Sequence, residues 1–129
     1  MKQIPKATLA RLQALSVAKR DAELARLASV ARSRNALQAA IAALGASVPQ
    51  LPASGEGGAE NPALTRVRLH HARWVEGRRI MLNQRLAMLS ADWLALHPAA
   101  ARAVGRVDAL EKLARRQERA ARKERKEGI

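Results

Sequence analysis

A seven-residue repeat runs through the second half of this 129-residue chain. Val75, Leu82, Leu89, Leu96, Ala103 and Leu110 follow one another at intervals of seven, and Arg79, Leu86, Trp93, Ala100, Val107 and Ala114 fall between them. The steps alternate four and three from Val75 to Ala114, and Arg79 is the one polar member. Such a pattern holds an apolar seam on one side of a slightly underwound helix. One helix cannot bury that seam by itself. The candidate mate lies upstream, in residues 3–44.

The break between the two segments is legible. Residues 45–62 read GASVPQLPASGEGGAENP, with four glycines and three prolines, a composition that neither a helix nor a packed strand tolerates. Gly45 follows Leu44 where a left-handed residue commonly ends a helix. Asn61 followed by Pro62 is an N-cap with proline at the first helical position. The upstream helix is read over about residues 5–44, where Leu27, Val30, Arg34, Leu37, Ile41 and Leu44 alternate steps of three and four. Its earlier apolar set is Leu9, Leu12, Leu15 and Leu24, with Lys19, Arg20 and Glu23 close to the stripe. The downstream helix is read over about residues 62–125.

The expected fold is therefore all-α: a single elongated antiparallel two-helix coiled-coil hairpin, with a flexible connector over 45–62 and a longer second helix. Pro98 removes one helical hydrogen bond and crowds the preceding turn. The heptad keeps phase across it, which favours a kink near Leu94–His97. A stop at His97, followed by a third helix folding back, is the alternative. If the helices pair flush from the connector, Met1–Gln3 lie near residues 103–106. The sequence after Arg106 then forms a basic overhang, kept helical by Asp108–Lys112, Glu111–Arg115 and Glu118–Arg122 pairs at four-residue spacing.

Composition narrows the function classes. Trp74 and Trp93 are the only aromatics besides histidine, which suits a thin helix–helix seam better than a layered core. With no cysteine, thiolate metal sites and disulfides are excluded. The first residues lack an apolar signal core, and no window is apolar enough to span a membrane. His70 and His71 are adjacent, so they point about 100° apart on a helix. Metal ligands on a helix require spacings of three or four. The acidic residues form no seam pair suited to acid–base chemistry. Gly55-Glu56-Gly57-Gly58 lacks the Lys-Ser/Thr of a phosphate loop. No catalytic, cofactor-binding or metal-binding residue is assigned, and the chain is read as non-enzymatic.

The formal net charge is +13. Basic and acidic groups number eight and two in residues 1–44, six and two in 63–101, and ten and five in 102–129, so both arms are basic. Nucleic acid, anionic lipid and acidic protein are the partners such a charge favours. Trp93 lies on the seam and reads as packing. Trp74 lies beside it and reads as a partner contact. Arg34 and Arg79 at seam positions set register or mark an imperfect, mobile bundle.

Several stretches carry a family resemblance. Leu9-Ala10-Arg11-Leu12 through Arg20-Asp21-Ala22-Glu23-Leu24-Ala25-Arg26-Leu27 looks like the first helix of the FliJ/YscO family of flagellar and type III secretion export proteins. Arg73-Trp74-Val75-Glu76-Gly77-Arg78-Arg79 resembles the start of its second helix, and Arg106-Val107-Asp108-Ala109-Leu110-Glu111-Lys112-Leu113 its C-terminal helix. The resemblance implies a cytoplasmic coiled-coil stalk or adaptor, peripheral at the inner membrane. Its helix ends would enter the export ATPase, and another surface would contact the export gate or chaperones. No cofactor is implied. The partner-binding residues expected on this reading are Trp74, Arg106, Arg115, Arg116, Arg119 and Arg122. Two other classes stay open: a basic helical protein that binds nucleic acid through phosphate contacts, and a scaffolding or assembly coiled coil.

Overall fold

The computed structural model describes residues 3–46 and 61–128. It is an all-α helical hairpin, with no strand among the described residues. Helix α1 spans Lys6–Ala46 and helix α2 spans Pro62–Glu127. The start of α2 follows from its cap: Asn61 Oδ1 accepts a hydrogen bond from the Ala63 amide at 3.1 Å, satisfying one of the donors a helix start leaves free. The Asn61 carbonyl accepts from the Thr65 amide and from Thr65 Oγ1, each at 3.1 Å. At the other end Arg125 and Lys126 occupy the last turn, where cations complement the helix dipole. Gly45 does not stop α1. It lies inside the last helical turn, with no positive φ. Most of the expected connector, residues 47–60, lies outside the described residues.

The chain divides into two compact units. One joins α1 up to Ser29 with α2 from Trp93 onward. Within it, α2 presents Trp93, Leu96, Ala100, Ala103, Val107, Leu110 and Ala114 as half-buried or buried side chains, as the heptad predicts. Its most buried stretch is Ala100, Ala103 and Val107. The facing residues of α1 are a different set from the sequence reading. Leu9, Gln13, Ser16, Arg20, Glu23 and Leu27 are the covered positions, at steps of four and three, whereas Leu12, Leu15 and Leu24 are exposed. Glu23 is 7% exposed, with Lys19 Nζ at 3.6 Å and Arg26 Nη1 at 3.7 Å from its carboxylate. A carboxylate at a seam position requires such partners. The two cations are themselves well exposed, so their charges remain hydrated.

Pro98 sits inside α2 without ending it, so the third-helix alternative falls. The missing N–H leaves the carbonyl of Leu94 without its helical donor. Leu94 and Pro98 are both exposed, so that carbonyl is on the side where water can reach it. The neighbouring Trp93 and His97 rings lie 5.0 Å apart between centroids, tilted by 41°.

The second unit runs from Val30 to Asp92. Leu44 and Leu82 are its buried anchors, with Val30, Arg34, Leu37 and Ile41 half-buried on α1 and Val75, Leu86 and Leu89 half-buried on α2. Arg79, the polar member of the repeat, is exposed and pairs with Glu76 at 3.5 Å. The lengths are unequal here. Residues 30–46 of α1, seventeen positions, face residues 62–92 of α2, thirty-one positions. At ~1.5 Å per residue, the first turns of α2 exceed their mate by about 21 Å.

Candidate interaction surfaces

The long overhang expected after Arg106 is not present. Past that residue α2 stays covered: Val107 is buried, and Leu110, Leu113, Ala114, Gln117 and Ala121 are half-buried. The Gln117 side-chain amide, oriented to satisfy both groups, donates to the Ile4 carbonyl at 3.2 Å and accepts from the Ile4 amide at 3.1 Å. Gln3 to Lys6 and Leu9 share a groove with Ala114, Gln117 and Ala121. The start of α1 is thus placed beside residues 114–121, more than two helical turns beyond the 103–106 expected from flush pairing. Only the stretch from Arg122 onward is exposed at every position.

All six expected partner residues are exposed, but they do not form one group. Trp74 belongs to the second unit and the five arginines to the first. Arg115, Arg119 and Arg122 recur at steps of four and three, so they share one outward face of α2, with Arg116 beside them. Arg122 Nη2 lies 2.7 Å from Glu118 Oε1, and Lys112 Nζ lies 3.0 Å from Asp108 Oδ2, as their spacing predicts. The third predicted pair, Glu111 with Arg115, is absent among the described ion pairs. Arg106 lines one cleft with Arg102, Lys19 and the buried Glu23.

Trp74 stands out at 57% exposure. Its ring lies 6.0 Å from that of His71, and together with Arg66, Val67 and His70 they line an open depression. Around it the outward face of α2 carries further exposed apolar side chains, Ile80, Met81 and Met88. Sequence reasoning singled out Trp74 alone. The signal for the rest was available, since Val67, Trp74, Met81 and Met88 stand seven residues apart.

Among the described residues no group of three His, Asp or Glu could hold a metal ion, and no helix is long and apolar enough to cross a membrane. What the geometry offers is two outward faces of α2, one apolar with arginine flanks and one basic. No family model matches the chain, and no curated protein or solved structure matches it either.

Proposed function

We propose that this chain is a non-enzymatic coiled-coil component of a flagellar or type III export apparatus, a stalk or adaptor between the export ATPase and the export gate or its chaperones. The reading starts from the family resemblance of its helix segments. The observation that supports it is the end of the first unit. There the Gln117–Ile4 hydrogen bonds hold the start of α1 against the last turns of α2, and Arg115, Arg116, Arg119 and Arg122 stand outward from that joined end. A basic helix end braced by the start of α1 at Gln117 suits insertion into a ring. Arginine also forms planar two-point contacts with carboxylates.

The test is charge reversal, because deletion after Gly105 would remove the buried Val107 and unfold the unit. Arg115→Glu, Arg116→Glu and Arg119→Glu together alter only exposed side chains. The triple variant is expected to melt like the parent and to lose capture of the purified export ATPase. Equal capture by both proteins would place the contact elsewhere. The rival nucleic-acid reading is separated by the same pair of proteins. Binding of generic duplex DNA at physiological salt with a steep salt dependence, together with no ATPase capture by the parent, would favour it.

A further inference from the structure

The outward face of α2 in the second unit has the geometry of a coiled-coil acceptor. In such packing each incoming side chain enters a hole made by residues i, i+3, i+4 and i+7 of the receiving helix. Val67, His70, His71 and Trp74 have that spacing, and the structure has an open depression at those residues, with Arg66 at its edge. The next two sets of the same form are Trp74, Gly77, Arg78, Met81 and Met81, Gln84, Arg85, Met88. Three holes therefore follow one another at heptad intervals. The middle one has an unfilled floor, because Gly77 has no side chain and nothing lies within 4 Å of where a Cβ would stand. The corner residues Val67, Trp74, Met81 and Met88 are all exposed.

Charge selects the occupant. Residues 30–46 and 62–92 of this unit carry eight arginines, against Glu76 and Asp92 as the only acids. Arg66, Arg73, Arg78 and Arg85 flank the stripe, and none of them has an ion-pair partner among the described residues. A second copy of the same face would bring like charge against like charge. A membrane surface would prefer a continuous broad apolar arc, whereas this stripe is one corner residue wide and is interrupted by His70, Gly77 and Gln84.

We propose that this face docks an acidic amphipathic helix of a partner protein, with apolar knobs one heptad apart and Glu or Asp flanking them. From Val67 to Met88 the stripe covers about 32 Å, which a partner helix of about 21 residues matches. Methionine at two corners suits such a surface, because its unbranched thioether adapts to differing knobs. The proposal stands on the spacing and charge of this face and does not require the export reading, whose test is made on arginines of the other unit.

The test uses the full chain and a labelled synthetic amphipathic peptide of about three heptads, with Leu at the knob positions and Glu beside them. Its counterpart carries Lys in place of Glu. The readout is fluorescence anisotropy. Two matched variants decide the outcome. Gly77→Leu fills the middle hole, and Gly105→Leu makes the same change at an exposed helical glycine of the other unit, also with nothing within 4 Å. Leucine favours a helix over glycine at both sites, so neither variant loses binding through unfolding. The expected result is saturable binding of the Glu peptide only, weakened at least about tenfold by Gly77→Leu, as for a central interface residue, and unchanged by Gly105→Leu. Equal binding of the Lys peptide, or equal effects of the two variants, overturns the proposal. So does binding to phosphatidylglycerol vesicles without peptide binding, or a self-association of the parent that Gly77→Leu abolishes.

Discussion

Ala103→Leu measures how closely the helices approach. Ala103 is 1% exposed, the least of the buried residues, and Ala100 and Val107 on either side of it in the seam are also buried. Leucine adds three carbons. Burying them in space already available would stabilise by about 2.4 kcal/mol, at ~0.8 kcal/mol per methylene. At 1% exposure the alanine side chain is enclosed by its neighbours. The open depression shared by Leu12, Leu15, Ser16 and Ala103 lies to one side, so the added carbons must turn towards it or push the helices apart. Inserting methylenes into a closely packed seam costs about 1–3 kcal/mol. At about 4 °C per kcal/mol for a chain of this size, the melting temperature should fall by about 4–12 °C. Thermal unfolding followed by far-ultraviolet circular dichroism reads this. Ala101→Leu, at an exposed neighbour, is the control and should stay within about 0.5 kcal/mol. If Ala103→Leu melts at or above the parent temperature, alanine does not set the interhelical distance here and the described seam is wrong.

Three further changes probe separate parts of the account. Leu82→Ala should cost about 2–4 kcal/mol, more than Leu89→Ala or Leu96→Ala, because Leu82 is buried and the other two are half-buried; melts of the three variants in any other order would contradict the burial pattern. Pro98→Ala should stabilise by about 1–3 kcal/mol by restoring one helical hydrogen bond, and destabilisation on melting would mean that the proline shapes the seam. Glu23→Gln should cost about 1 kcal/mol at low salt and less at high salt, where its pairs with Lys19 and Arg26 are screened; a loss indifferent to salt would point to packing in place of charge.

The register of α2 was legible because its seam from Leu82 to Leu110 is apolar almost throughout. The seam of α1 was legible only from Leu27 to Leu44. Upstream, three leucines misdirect the eye: Leu12, Leu15 and Leu24 are exposed, while Gln13, Ser16, Arg20 and Glu23 occupy the covered positions. Polar groups are tolerated there for separate reasons: the Glu23 carboxylate is buried but paired with Lys19 and Arg26, and Gln13, Ser16 and Arg20 are only half-buried. Continuing the clean steps backward from Leu27 lands on those polar residues in order, so phase was the better guide and hydrophobicity the worse one. The position of α1 along α2 was not legible, since heptads alone allow a slide by whole repeats. The Gln117–Ile4 pair, invisible in any pattern, marks the register taken up. Trp74 was recognisable as a lone exposed aromatic, but its stripe was hidden by the stronger repeat that runs beside it on the same helix.

The central claim is an antiparallel hairpin with the start of α1 beside residues 114–121. The chain has no cysteine, so two introduced thiols report without interference. Ile4→Cys with Gln117→Cys tests the described register, and Gln3→Cys with Arg106→Cys tests flush pairing. Each is treated in dilute solution with a short bismaleimide, and intact mass is read. The account predicts rapid cross-linking within one chain for the Ile4–Gln117 pair and little for the Gln3–Arg106 pair. The reverse order of rates, or cross-links formed only between two chains, would contradict it.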